Sequence, residues 1–374
     1  MGAFVCYKLP HASGYVRMEV SGDPEVLTDW SELRGRGFVV APFEPSADCP
    51  IVVFRTTQHS TPTTHHHPST SQPLNFSTIS TSQPLNFSTI STSQPLNLST
   101  SQPFPTHHPT PTPRGGFPDV SERERYAADF ARFHAELCGG GMEKLVLSRS
   151  SVVECVDDVD VMELFERACV LYEGQFVALF SSAQTGTWLM ATPEFLLEGS
   201  GRDWRTMALA GTRRRGEPRE AWSEKECREQ GLVTAYLTER IGRLTKDFWV
   251  EGPHSVEAGH LLHLRTDIGF RLPAAVGVGR LVSLLHPTPA VCGLPADEAK
   301  RFILANESHA RGYYSGFCGL LDERETRLWV SLRCMMISGR QCRLYAGGGL
   351  LAESDEQTEW EETVAKLETM LRVL

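Results

Sequence analysis

Over the first 55 residues the chain sets short apolar, β-branched runs between breakers. Phe4-Val5-Cys6-Tyr7, Phe38-Val39-Val40 and Ile51-Val52-Val53-Phe54 stand among Gly, Pro and Asp. Such runs predict strands, here grouped as one edge of a sheet. The pattern then stops. From 56 to 115 the chain is mainly Thr, Ser, His, Pro and Gln, and Ser71-Gln72-Pro73-Leu74-Asn75-Phe76-Ser77-Thr78-Ile79 recurs at Ser82 and, slightly changed, at Ser93. A stretch with so few charges and so little apolar surface cannot build a core. Residues 56–115 are therefore expected to be a disordered low-complexity insertion that interrupts, without dividing, one domain made of residues 1–55 and a core from 116 to 374.

Helical periodicity opens at Ser121-Glu122-Arg123-Glu124, a capping box, with Tyr126, Phe130, Phe133 and Leu137 on one face and Gly139 as the stop. A strand, Lys144-Leu145-Val146-Leu147-Ser148-Arg149, follows with a lysine at its head. Val161, Leu164, Phe165 and Ala168 mark a second helix, and Phe176 to Phe180 with Trp188 to Ala191 form a hairpin around Gly186. Ala191-Thr192-Pro193-Glu194 puts Glu194 at a Pro-fixed junction between strands. Met207-Ala208-Leu209-Ala210-Gly211-Thr212 reads as a small-residue turn after a strand, and Ser223-Glu224-Lys225-Glu226 caps a long helix.

The last third holds a His286-Pro287-Thr288-Pro289 loop, a helix from Ala296 to about Arg311, and strands through Phe317, Arg333 and Tyr345. The triplet Gly347-Gly348-Gly349 follows the last strand, and a final helix runs from about Glu359 to Leu374. Strands and helices come in runs without strict alternation, which predicts an α+β fold with large antiparallel sheets.

Composition narrows the function. A net charge of −10 disfavours a nucleic-acid partner, and Arg213-Arg214-Arg215 is too short to offset it, so it is expected as a solvated turn. No apolar run is long enough for a bilayer, and the start lacks the pattern of a signal peptide, so a cytoplasmic protein with no membrane contact is expected. Ten cysteines without C-x-x-C spacing suggest neither zinc nor disulfides. His65-His66-His67 and the N-x-S sequences at Asn75, Asn86 and Asn97 are expected to be incidental.

Two helices carry candidate chemistry. Glu229 shares a face with Leu232, Val233 and Tyr236, so its carboxylate needs a cation, a metal or a hydrogen-bond network, and a core arginine would also serve. On the last helix Trp360, Val364, Leu367 and Leu371 share a face while Glu359, Glu362 and Lys366 lie along its flank; a simple i,i+4 ion pair accounts for that too. Acidic pairs on two helices with no histidine beside them suit a hard ion such as Mg²⁺, bound through carboxylates and the oxygens of an anionic substrate. Arg333, expected on a strand, and the exposed N–H groups of the glycine triplet would then meet the substrate's carboxylates. No P-loop, dinucleotide fingerprint or nucleophile elbow is present, and His263 and His286 are expected as loop or core histidines.

Together, Lys144 to Arg149, Ala191 to Glu194, Leu209 to Thr212, Ser223 to Lys225, His286 to Ala290, Tyr345 to Gly349 and Glu359 to Thr363 resemble the chorismate-utilising enzymes, specifically the isochorismate synthases and their salicylate and anthranilate synthase relatives. The resemblance spans roughly Phe117 to the C-terminus. It implies a large two-layer antiparallel β-sandwich wrapped by helices, with the site in a cleft between the layers. It implies Lys144 as the base that activates water to attack C2 of chorismate, and Glu194 as the acid that protonates the departing C4 hydroxyl. One base and one acid are what such a hydroxyl transfer requires.

The same resemblance gives Mg²⁺ to Glu229 and Glu362, with Glu359 close by. Arg333, Lys366, Gly347, Gly348 and Gly349 would hold the enolpyruvyl carboxylate, and Gly211, Thr212 and His286 would also face substrate. A lysine at 144 implies water in place of ammonia, so no glutamine amidotransferase partner is expected, and a monomer is. Ala210 separates the chain from the aminodeoxychorismate synthases. Salicylate synthases keep the lysine and stay open as an alternative, as does a degenerate member acting as an interaction protein through its repeats. The product would feed menaquinone or a catechol siderophore.

Overall fold

The structure, a computed structural model, describes residues 2–20, 22–55, 63–66, 121–155, 157–216 and 222–374. The N-terminal part supplies β1 (Ala3–Lys8), β2 (Gly14–Val20), β3 (Glu25–Leu27), β4 (Gly37–Ala41), β5 (Ile51–Phe54) and β6 (Thr63–His66). Next come α1 (Glu122–Cys138), β7 (Lys144–Glu154), α2 (Val161–Leu171), β8 (Phe176–Ser182), β9 (Gly186–Thr192), β10 (Phe195–Ser200) and β11 (Asp203–Arg214). The middle adds α3 (Glu224–Gly242), β12 (Phe248–Ala258), β13 (Leu261–Arg271), α4 (Val278–Leu285), β14 (Gly293–Leu294) and α5 (Ala296–Asn306). The chain closes with β15 (Phe317–Leu321), β16 (Thr326–Val330), β17 (Cys334–Ser338), β18 (Gln341–Leu350) and α6 (Glu356–Leu371).

The described strands build two nine-stranded antiparallel sheets, ordered β14-β7-β18-β17-β9-β8-β1-β2-β6 and β12-β13-β11-β10-β16-β15-β4-β5-β3. The N-terminal strands do not form a single edge. β1 pairs with β8 in the first sheet, whereas β4 pairs with β15 in the second. Every residue of β1, β4 and β5 is buried. Strands covered on both faces show no alternation, and the sequence pattern carries no mark of which sheet owns them.

The sheets face each other across an aromatic core. Phe176 of β8 stacks on Trp329 of β16 with centroids 3.9 Å apart, and Tyr7 of β1 meets Phe38 of β4 at 5.6 Å. The outer faces are closed by helices: α3 and α4 cover the second sheet, α2 and α6 the first, and α1 with α5 packs on Leu145 and Leu147 of β7. Capping boxes at Ser121 and Ser223 start α1 and α3 at the positions their sequences mark. No described helix is long and apolar enough to cross a membrane.

Several boundaries differ from expectation. α5 ends at Asn306, because Arg311 is drawn into a buried pair with Glu307 and donates to the carbonyls of Val291 and Val146. Arg213 and Arg214 belong to β11, and the three arginines pair with Glu226, Glu368 and Glu257 instead of forming a free turn. Within the stretch expected to lack structure, Thr63–His66 pairs with β2. The eleven-residue repeats, His67 and the three N-x-S sequences lie outside the described residues.

The stacked pair between the sheets sets a stability test. Trp329→Ala is expected to cost about 3–5 kcal/mol in a urea unfolding titration. Leu304→Ala, exposed on α5, should change stability by less than about 0.5 kcal/mol.

Candidate active site

The two sheets part where β7, β11 and β18 meet α3 and α6, leaving a cleft with about 610 Å³ of empty space including its mouth, a size suited to a small molecule. Of the residues expected at substrate or metal, Glu194, Gly211, Thr212, Glu229, Arg333, Gly347, Gly349, Glu362 and Lys366 line it.

Lys144 sits behind this wall. It heads β7 beside β14, and its side chain is fully buried. Its Nζ stands 3.0 Å from Glu229 Oε1, a charge contact without the alignment of a hydrogen bond. The neighbouring backbone makes room for the pair. A Cβ on Gly349 would overlap Glu229 Oε1 and lie 2.9 Å from Lys144 Cε; one on Gly348 would lie 3.1 Å from Glu359 Oε2, and one on Gly347 2.8 Å from the Tyr314 hydroxyl. The glycine triplet is thus a bare floor on which charged side chains lie.

It is also part of a strand. Gly347, Gly348 and Gly349 pair with Ser148, Leu147 and Val146 of β7, while the pairing of β18 with β17 ends at Tyr345. Alternation then sends the amides of Gly347 and Gly349 to the open edge and that of Gly348 toward β7, so two of the three expected amides point away from β7. Gly347 O already accepts from Lys366 Nζ at 2.7 Å.

The acidic residues are each matched by a lysine. Glu229 faces Lys144, Glu359 faces Lys225, and Glu362 faces Lys366 at 2.6 Å. Burial and the neighbouring Glu362 hold Glu359 above the usual carboxylate range despite Lys225. Burial pushes Glu362 the same way, but Lys366 and the Thr212 hydroxyl bring it below its ordinary value. α6 therefore turns polar groups inward as well as apolar ones: Glu359, Thr363 and Thr369 are buried, while Trp360 is only partly so.

Glu194 behaves differently. It is 2 % exposed at the β9–β10 junction, and burial raises its pKa to about 8 against the pull of Lys144, Lys366 and Arg333. It is accordingly protonated at neutral pH. Arg333 lies between β16 and β17, not on a strand, with a left-handed φ of 46°. Its guanidinium donates to His263 Nε2 at 3.0 Å, and His263 Nδ1 donates to Gly211 O at 2.6 Å. With both ring nitrogens so engaged, and with burial and Arg333 holding its pKa well below the usual value, His263 is a neutral imidazole that fixes Arg333. Gly211 and Thr212 form no turn; they sit in a bulge where the register of β11 against β13 shifts, with Gly211 at a φ of 71°.

His286 is outside the cleft. Its ring packs edge-on against Trp30 and Phe317, and burial holds its pKa down to about 3, so it is a neutral core residue and not a substrate contact. Lys225, His263 and Tyr314 were not anticipated at the site. Lys225 carried a legible signal, four residues before Glu229 on one helix face. Tyr314, in the loop before β15, carried none.

Among the described residues, no three of His, Cys, Asp and Glu are gathered closely enough to grip a metal as they stand, because each carboxylate is turned to its lysine. The donors themselves fit a hard cation. They are all carboxylate oxygens, Glu359 Oε2 is buried with no hydrogen-bond partner, and Glu362 raises the cost of charging Glu359.

A family model described as chorismate binding enzyme matches residues 72–374, and the chain belongs to that family. It is 32% identical over 273 residues to isochorismate synthase DhbC of Bacillus subtilis, covering 68% of this chain and 69% of that protein. It is 31% identical over 265 residues to isochorismate synthase EntC of Escherichia coli K12, covering 68% of each. The fold matches the crystal structure of DhbC from Bacillus anthracis with a TM-score of 0.75 at 21% identity, over 100% of this chain and 96% of that one.

Gly349→Ala tests the floor. It should destabilise the protein by about 1–3 kcal/mol in thermal unfolding, because either the Lys144–Glu229 pair or β18 must move. Gly140→Ala, at a φ of 75° with open space around it, should cost less.

Proposed function

We propose that this chain is a Mg²⁺-dependent isochorismate synthase, with Lys144 as base and Glu194 as acid. The observation that carries the proposal is the contrast between Lys144, buried behind the cleft wall, and Glu194, which lines the cleft. A buried lysine stands beside a single carboxylate, and a second carboxylate is protonated at neutral pH. A hydroxyl exchange around a ring needs both, one group to take a proton from water and one to give a proton to the leaving oxygen.

Glu229 is the counter-ion of the base: its Oε1 lies 3.0 Å from the Nζ of the fully buried Lys144. Glu194 arrives with its proton in place, because desolvation has done the work before substrate binds. Arg333, held by His263, and Lys366, held by Gly347 O and Glu362, offer cationic hydrogen bonds to the enolpyruvyl carboxylate. Glu229 and Glu362, with Glu359 beside them, would hold the Mg²⁺, which supplies positive charge for the ring carboxylate. The protein is read as a cytoplasmic monomer that uses water, with no amidotransferase partner.

Two measurements test this on chorismate turnover followed by chromatography of the product. Lys144→Ala and Glu194→Gln should each lower kcat by about 10²–10⁴-fold while chorismate still binds; near-normal turnover in either would remove its role. Glu194 must be protonated to act, so wild-type kcat should fall as the pH rises through about 8, and what activity Glu194→Gln retains should lack that limb. Isochorismate as the product supports the proposal, and salicylate with released pyruvate would replace it by the salicylate synthase alternative.

The metal is tested separately. Glu362→Gln should lose turnover and its response to Mg²⁺ together. Full turnover in that variant, with or without Mg²⁺, would remove the metal site.

A further inference from the structure

The Lys–Glu pairs at the acidic end of the cleft are not equivalent. Lys144 is sealed in the core, and Lys366 is anchored twice, to Glu362 and to Gly347 O. Lys225 has another kind of place. It stands in the first turn of α3, its side chain is 24% exposed, and its ammonium bonds Glu359 Oε1 while lying within the electrostatic reach of Glu229 and Glu362. Its partner Glu359 is 1 % exposed and leaves Oε2 buried without a partner. A tethered single charge therefore occupies the point where the fields of three carboxylates converge, and an unused carboxylate oxygen lies beside it.

We propose that Lys225 is a built-in competitor of the metal: it holds Glu359 and screens all three carboxylates, and Mg²⁺ enters by displacing the Lys225–Glu359 pair. This rests on the metal site proposed above. The asymmetry of the pair gives the direction of movement. Glu359 is buried and stays, whereas Lys225 has a flexible stem and a route to water. Two cations a few ångströms apart repel strongly in a poorly solvated corner, so metal and ammonium exclude one another. Three lysines already face the three carboxylates before the metal arrives, so metal affinity is set below what three bare carboxylates would give.

The test is metal binding by the purified full-length chain without chorismate, by calorimetry with Mg²⁺ and by electron paramagnetic resonance with Mn²⁺. Lys225→Gln should bind either ion about tenfold more tightly or better, Lys225→Met should do the same, and Lys225→Arg, which keeps the charge, should not. Metal bound by the wild type but no more tightly by both neutral variants would overturn the competitor role, leave the metal site standing, and make Lys225 a positioning residue for Glu359. No binding by wild type or neutral variants would overturn both. So would binding that survives unchanged in Glu362→Gln, because the ion would then lie elsewhere.

Discussion

The structure depends on housing a fully buried lysine. An ammonium as buried as that of Lys144 is costly unless an opposite charge answers it, and Glu229 is the only carboxylate in contact with it among the described residues. Much follows from housing that pair. β7 carries the lysine in at the sheet's end, α3 brings the glutamate down from the other layer, and Gly349 gives up its side chain so that both fit. Packing and electrostatics are not separate requirements here. A methyl group at 349 would fill the volume that the Glu229 carboxylate needs.

β7 also sets the third partner in place. Five residues beyond Lys144, Arg149 lies 3.8 Å over the Trp360 ring, donates to the Thr363 hydroxyl at 2.7 Å and pairs with Glu122 of α1. Arg123 of α1 covers the same ring at 4.9 Å. Trp360 is held by two guanidinium groups, and this fixes the rotation of α6 that points Glu359 and Glu362 inward. One strand thus places the lysine directly and the acids of α6 through an arginine. Cation–π contacts of about 0.5–2 kcal/mol each are modest as stability and effective as orientation.

The features legible in the sequence were those with a local cause. Capping boxes located α1 and α3, the 3.6-residue period showed Glu229 on a buried face, and proline fixed the junction that holds Glu194. What failed had a cause elsewhere in the chain. The sequence pattern places the glycine triplet after the last strand, because nothing nearby says that β7 will pair with it. Arg333 looked like a strand residue, because the His263 that holds it off the sheet is seventy residues away. The Pro-rich loop of His286 leaves it a loop or core histidine, and only the family resemblance makes it face substrate; Trp30 and Phe317 enclose it in the core. The apolar stripe of the terminal helix accounts for only part of its burial, because Lys225 and Arg149 from other elements hold Glu359 and Thr363.

Glu194 and Glu362 show why residue type alone does not assign a role. Both are carboxyls lining the same cleft, and desolvation pushes both toward protonation. Glu362 has Lys366 in contact and Thr212 donating to it, which returns it to the charged form. Lys144, Lys366 and Arg333 act on Glu194 too, but their pull does not cancel its desolvation. For these two, the lysine contact and the Thr212 hydrogen bond separate an anion from an acid. The fold sets a lysine against each of Glu229, Glu359 and Glu362 and none in contact with Glu194, and Glu194 is left holding a proton to give.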